Sequence, residues 1–125
     1  MKITDLKPTI VWKFFHQVTQ VPRPSKKEGK MIEFLESFAK EYKIAIKKDE
    51  AGNLLMSKPA TPGMEDRPVV VLQSHMDMVC EKNNGTKHDF DNDPIETIVD
   101  GEWLRANGTT LGADNGIGVA AELAL

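Results

Sequence analysis

The feature that most constrains this chain is an apolar run that ends abruptly in an imidazole and a carboxylate. The segment VVVLQSHMDMVC begins at Val69, and residues 69–73 have the composition of a strand that is apolar on both faces. Such a strand favours a central position in a covered sheet. His75 and Asp77 follow at once, and side chains two residues apart in an extended segment point the same way. Because ligands of open α/β sheets bind beyond the carboxyl ends of strands, this pair is a candidate site.

Two helices are predicted before this run. Apolar residues recur at helical spacing over 6–18, and Pro8 suits the first turn of that helix. A second apolar face extends over 31–42. Ser25 and Glu28 have the spacing of a capping box, so we expect the second helix to begin there.

Short strand patterns alternate with the helices, at 44–47, 54–57, 95–99 and 103–106. Asp100-Gly101 predicts a hairpin turn between the last two strands. The segment TTLGADNGIG then leads from a glycine-rich turn into a final apolar helix. This alternation predicts an α/β fold with three layers, helix-sheet-helix.

The 125 residues, with a formal net charge of −3, fit one domain or part of one. No block of like charges suggests nucleic acid or a membrane surface as a partner. We expect no signal peptide, and no apolar run is long enough to cross a bilayer. A lone cysteine, Cys80, excludes an internal disulfide and agrees with a reducing cytoplasm. The chain stops within an apolar helical pattern, which indicates a cut rather than a natural terminus.

Each candidate motif has a chemical and a purely structural interpretation. His75 and Asp77 fit a metal ligand and the carboxylate that orients it, but also a strand-end histidine and a turn cap. Asp114, within LGADNGIG, fits a carboxylate that bridges two metal ions, while Asp114 or Asn115 would equally serve as a helix N-cap. A phosphate cradle, and hence a nucleotide-binding domain, is a third interpretation of this turn. The acidic residue at its centre would repel phosphate.

Other polar residues have simpler explanations. His88 lies among aspartates whose spacing does not match a calcium loop. We expect His16 to be a surface or partly packed residue and Cys80 to be a small buried residue. Arg23, between two prolines, is predicted to be solvated.

Several motifs together closely resemble the N-terminal part of the aminoacyl-histidine dipeptidases, also called Xaa-His or beta-alanyl-histidine dipeptidases. The motifs are SHMDMVCEKN, HDFDNDPI and GEWLRANGTTLGADNGIGVAAELAL, with VPRPSKKE and DEAGNLLM earlier in the chain. This group lies in the clan of di-zinc exopeptidases that includes peptidase T and carboxypeptidase G. The resemblance implies that residues 1–125 form the N-terminal part of a catalytic metallopeptidase domain, without its lid domain and C-terminal half.

The resemblance also implies a role for each matched residue. His75 would ligate one zinc ion, Asp77 would be the catalytic aspartate that orients this imidazole, and Asp114 would bridge both ions. The peptide bond after Asp114 would be cis. The backbone positions that would support this turn are Gly112, Asn115, Gly116 and Gly118.

The implied activity is zinc-dependent hydrolysis of dipeptides, in particular Xaa-His, by a cytoplasmic enzyme. Imidazole and carboxylate would also accept cobalt or manganese. The general base and the remaining zinc ligands of the family lie outside the matched region, and Glu122 is a poor substitute. We therefore expect the 125 residues alone to be inactive and to bind zinc weakly. The alternative is a non-catalytic truncated module that forms homo-oligomers or binds a partner.

Overall fold

A computed structural model describes all 125 residues, which fold as two compact units. The first unit contains residues 1–31 and 73–125, and the second contains residues 32–72. The elements are a short 3-10 helix Ile3–Asp5, α1 Thr9–Thr19, α2 Gly29–Glu41, β1 Ala45–Lys48, β2 Leu54–Ser57, β3 Thr97–Asp100, β4 Trp103–Ala106 and α3 Ala113–Leu123. No helix combines the length and apolar character that crossing a bilayer requires.

The first unit is built on the packing of α1 against α3. Helix α1 begins directly after Pro8, which lies at its N-cap and not in its first turn, and Phe14, Phe15 and Val18 of its apolar stripe are buried, whereas Ile10 is 44% exposed. Phe15 and Val18 are almost fully enclosed, and α3 contributes Val119 and Ala120 to the same core. The predicted periodicity over 6–18 is thus confirmed, with the helix itself beginning at Thr9.

Strands β3 and β4 form an antiparallel hairpin in this unit, with Thr97 opposite Ala106 and Asp100 opposite Trp103. The two residues of the turn are therefore 101–102, one position later than Asp100-Gly101. Gly101 has φ +60°, a conformation in which glycine has no steric penalty. Before the hairpin, the Ile95 N–H donates to the Thr19 carbonyl at 2.8 Å, so the end of α1 holds the entry to β3.

The second unit contains most of α2 and the β1–β2 hairpin. Ile46 lies opposite Met56 in an antiparallel register. Leu35, Phe38 and Ala39 of α2 are buried, which confirms the apolar face predicted there.

The predicted start of α2 is wrong. The helix begins at Gly29. The Ser25 hydroxyl does not cap it and instead donates to Asp77 at 2.5 Å. Glu28 accepts the Lys26 N–H at 2.7 Å, so the two halves of the expected capping box bind elsewhere. Ser25 and Glu28 have the spacing of a capping box, but the Ser25 hydroxyl bonds to the distant Asp77 carboxylate instead of the helix backbone.

The predicted central strand at 69–73 does not form. These residues lie outside every strand and bridge, and the four apolar side chains are exposed, from 53% for Leu72 to 89% for Val69. An apolar run becomes a strand only where neighbouring strands accept its backbone hydrogen bonds. The two sheets are each two-stranded and antiparallel, so helices and small sheets are confirmed and the three-layer arrangement stays a prediction.

Candidate metal site at the ends of two loops

His75 lies between two carboxylates, one from each of the motifs that the sequence analysis selected. Its Nδ1 is 3.1 Å from Asp77 Oδ1, and its Nε2 is 2.9 Å from Asp114 Oδ1. The residues are far apart in sequence, so only the fold of the first unit brings Asp114 to the ring. The structure thus places His75, Asp77 and Asp114 together, as the resemblance implies.

The two carboxylates raise the pKa of His75 above its ordinary value. The hydrogen bond to Asp114 is the largest cause; burial opposes it, and the side-chain bond to Asp77 acts in the same direction as Asp114. A protonated ring donates from both nitrogens, which explains the direction. In the neutral ring that donates from Nδ1 to Asp77, the Nε2 lone pair faces Asp114 Oδ1.

Asp77 is held through both of its oxygens. Oδ1 faces the His75 ring, and Oδ2 accepts the Ser25 hydroxyl at 2.5 Å. The Ser25 bond is the main cause that lowers the pKa of Asp77, and the His75 bond acts in the same direction. Asp77 is therefore an ionised, oriented acceptor for the imidazole, and the turn-cap interpretation does not describe it.

At the start of α3, Asn115 acts as the helix N-cap and Asp114 does not. Both residues have non-helical backbone angles. The Asn115 Oδ1 accepts the Gly118 N–H at 3.0 Å, which is the bond of an N-cap. Asp114 makes no such bond, and its side chain is 96% exposed apart from the contact with His75. The helix is capped by Asn115, and this leaves the Asp114 carboxylate available to a ligand.

The glycines around Asp114 allow close approaches. Gly112 has φ +71°, and its carbonyl accepts the Gly116 N–H at 3.1 Å. A Cβ at Gly118 would collide with the Asn115 side chain that caps the helix. The Asp114–Asn115 peptide bond is cis. The supporting positions Gly112, Asn115, Gly116 and Gly118 therefore all lie at this turn.

Arg23 is the residue that sequence reasoning missed. It is 1% exposed, whereas the prediction was a solvated side chain. Its guanidinium donates to the Met76 carbonyl at 3.2 Å and to the Gly112 carbonyl at 2.7 Å. Burial lowers the pKa of Arg23, and the nearby Cys80 and Asp77 oppose that effect. Its only sequence signal is the pair of flanking prolines, which marks a rigid turn but not a buried cation.

The remaining candidates do not join the site. Glu122 accepts the Ser74 hydroxyl at 2.7 Å. The side chains of Asp89 and Asp93 accept N–H groups of their own loop, and His88 packs its edge against Phe90 with ring centroids 4.5 Å apart. No group of three or more His, Cys, Asp or Glu side chains is positioned to hold a metal ion.

The fold is similar to part of a larger solved structure. A solved structure of a tripeptidase from Staphylococcus aureus superposes with a TM-score of 0.73 at 24% identity, and the match covers 91% of this chain and 30% of that one. At this identity the likeness concerns the fold alone.

Two relatives are much more similar. The crystal structure of an aminoacylhistidine dipeptidase from Vibrio alginolyticus has a TM-score of 0.96 and 48% identity, covering 99% of this chain and 25% of that chain. A cytosol non-specific dipeptidase of Escherichia coli (strain K12) is 49% identical over 124 residues, which are 99% of this chain and 26% of the relative. No protein-family model matches the chain. The chain thus spans about a quarter of each relative, and its resemblance to dipeptidases is confirmed.

Proposed function

We propose that the protein to which this chain belongs hydrolyses dipeptides at a zinc site to which His75 and Asp114 contribute ligands. The observation that carries the proposal is the 2.9 Å approach of His75 Nε2 to Asp114 Oδ1, with Asp77 on the other ring nitrogen. The two dipeptidase relatives support the reaction class. Because the chain spans about a quarter of their length, the complete active site needs residues that these 125 do not include.

The donor atoms fit zinc in kind. An imidazole nitrogen and a carboxylate are ordinary zinc ligands, and the carboxylate of Asp114 is exposed enough for its second oxygen to be reached. Bound zinc would polarise the scissile carbonyl and lower the pKa of a bound water toward neutrality. The family pattern has two zinc ions, and cobalt or manganese would suit the same donor types.

The residues of this chain have distinct tasks in the proposal. Asp77 accepts the Nδ1–H of His75 and thereby selects the tautomer whose Nε2 lone pair is directed toward Asp114. Ser25 fixes the Asp77 carboxylate from its other oxygen. Asn115 caps α3 and relieves Asp114 of that role.

The substrate class follows from the relatives' names. One is an aminoacylhistidine dipeptidase and the other a non-specific dipeptidase, so we propose dipeptides in general, with Xaa-His among them. The E. coli relative is a cytosol enzyme, which supports a cytoplasmic location. In the longer protein we propose that the exposed 69–73 segment becomes a sheet strand in a three-layer fold.

We also propose that the 125 residues alone do not hydrolyse dipeptides and bind zinc weakly. The site brings together one histidine and two aspartates, and of these Asp77 is already bonded on both oxygens. Glu122, the glutamate of α3, accepts the Ser74 hydroxyl through Oε2 at 2.7 Å. We therefore propose that the general base is supplied by residues other than these 125.

The test compares purified full-length protein with residues 1–125, each with and without added zinc, by release of histidine from an Xaa-His dipeptide. We expect zinc-dependent turnover only in the full-length protein. His75→Ala and Asp114→Asn should abolish it, and His88→Ala is the matched control that should not. Zinc-dependent turnover that survives in His75→Ala would falsify the assignment of the metal ligand.

A second candidate function is a non-catalytic module that self-associates. Four consecutive exposed apolar residues at 69–72 favour it, because an unpaired apolar segment is a surface on which another chain can add a strand.

A further inference from the structure

We infer that Arg23 is a positioning residue that holds the two ligand-bearing loops at a fixed separation, so that His75 and Asp114 meet. This inference goes beyond the ligand assignment and rests on the proposed function only for its zinc readout.

Arg23 bonds to both loops at once. Nη1 donates to the carbonyls of Met76 and Asp77 at 3.2 and 3.4 Å, and Nη2 donates to the carbonyl of Gly112 at 2.7 Å. Met76 is the neighbour of His75, and Gly112 lies two residues before Asp114. A planar fork with donors on separate nitrogens spans two backbone segments in a fixed geometry, whereas a lysine ammonium offers all its donors from one nitrogen.

The main chain beside Arg23 strengthens its attachment to the first loop. The Met78 N–H donates to the Arg23 carbonyl at 3.0 Å, and the Ser25 N–H donates to the Met78 carbonyl at 3.3 Å. Pro24 and Met78 thus form a short parallel bridge. Arg23 is therefore attached to the His75 loop through its backbone as well as through its guanidinium.

The second loop is shaped to receive the guanidinium. A Cβ at Gly112 would lie 2.5 Å from Arg23 Nη2, and one at Gly116 would lie 2.7 Å from the same atom. Both glycines leave room for the cation, which is 1% exposed and donates to three backbone carbonyls, while its buried Nε has no hydrogen-bond partner. Burial of a charge is costly unless it is well bonded, so this arrangement favours one definite position of both loops.

The test uses three variants of the full-length protein and one control. Arg23→Lys keeps the positive charge and most of the aliphatic stem but replaces the fixed two-nitrogen fork by donors on one nitrogen. Arg23→Met removes all the donors. Gly116→Ala keeps the arginine but places a Cβ 2.7 Å from its Nη2 and 3.1 Å from Phe15 Cε2, and this position has no positive φ to strain. The control is Arg67→Lys, since Arg67 is an exposed arginine near Asp66.

Two readouts report position rather than stability. The first is the set of ring 15N shifts of His75 in metal-free protein, which depend on its hydrogen bonds to Asp77 and Asp114. The second is zinc affinity measured by competition with a chromogenic chelator. We expect altered His75 shifts and a zinc affinity lower by about 10- to 100-fold in Arg23→Lys and Gly116→Ala, as for other residues that orient metal ligands. Arg67→Lys should match the wild type.

The outcomes separate this inference from the proposed function. If the full-length wild type binds no zinc, the proposed function fails, and the His75 shifts still decide the role of Arg23. Wild-type His75 shifts in folded Arg23→Lys and Gly116→Ala would overturn the inference. If Arg23→Met does not fold, those two variants carry the test.

Discussion

At the scale of the residue, the site is a series of hydrogen-bond contacts that runs from Ser25 to Asp114 through the His75 ring. Ser25 bonds to Asp77, Asp77 to the Nδ1 side of the ring, and the other ring nitrogen faces Asp114. Each bond changes the proton affinity of its neighbour, so the geometry can be tested by titration of single groups in metal-free protein.

The contact with Asp114 predicts how the pKa of His75 changes when this carboxylate is removed. Asp114→Asn should lower this pKa, because the bond to Asp114 is the largest cause that raises it. Because the pKa of His75 is raised in the folded state, the charged ring stabilises the metal-free fold at pH below its unfolded-state pKa. That stability is lost as pH rises through the folded-state pKa. NMR titration of the His75 ring measures the shift, with the exposed Asp66→Asn as control. An unchanged titration in Asp114→Asn would contradict the contact.

Removal of the Ser25 hydroxyl should change a pKa in the opposite direction, at Asp77. Ser25→Ala should raise the pKa of Asp77, because the Ser25 hydroxyl is the main cause that lowers it. A carboxyl group whose pKa is lowered in the folded state stabilises the fold at pH above its unfolded-state pKa. That stability is lost as pH falls through the folded-state pKa. The acid-side loss of stability should therefore be smaller in Ser25→Ala. Carboxyl 13C titration of Asp77 measures it, and the exposed Ser37→Ala should leave Asp77 unchanged.

At the scale of the element, the turn before α3 decides whether Asp114 is presented. Gly112 has φ +71° and lies against Arg23, and Asn115 takes over the cap. Local propensity alone would let an ordinary helix begin at Asp114, but the broken first turn aims its carboxylate away from the helix and toward the other loop.

Gly112→Ala tests this turn against a matched glycine. Gly63 also has a positive φ, +87°, but nothing lies within 4 Å of a Cβ there. Gly63→Ala should cost about 1 kcal/mol of unfolding free energy from backbone strain alone. Gly112→Ala adds a clash with Arg23 and Met78, which should cost about 1–3 kcal/mol more. Urea unfolding measures both, and equal costs would show that Arg23 does not press on this turn.

At the scale of the whole molecule, all the site residues belong to the unit of residues 1–31 and 73–125. The second unit contributes none of them. It does contain the exposed apolar segment 69–72, which directly precedes the His75 loop in the chain.

This segment predicts concentration-dependent association. We expect the 125-residue chain to form oligomers, because burial of apolar side chains stabilises association by about 25 cal/mol per Å². Val70→Lys should weaken the association, and Ser37→Lys, which adds the same charge at another exposed position, should not. Sedimentation velocity at several concentrations measures it. A wild-type chain that stays monomeric throughout would remove the self-associating module as a function.

Much of the local structure could be predicted from the sequence. The helix periodicity of α1 and α2, the β1–β2 and β3–β4 hairpins and the glycine-rich entry to α3 all depend on residues a few positions apart. His75, Asp77 and Asp114 were found from short motifs and their resemblance to dipeptidases. The errors have one cause in common: Ser25, Arg23 and the 69–73 strand each depend on partners distant in sequence.

The sequence by itself therefore determined which segments become helices and hairpins, and which side chains are the candidates for the chemistry. The tertiary structure alone decided that Asp114 reaches His75, that Ser25 serves Asp77 rather than α2, and that Arg23 is buried between two loops. The physical reason is range. Periodicity and turn chemistry act over a few residues, whereas the bonds of Arg23 to Met76 and Gly112 join residues 53 and 89 positions apart.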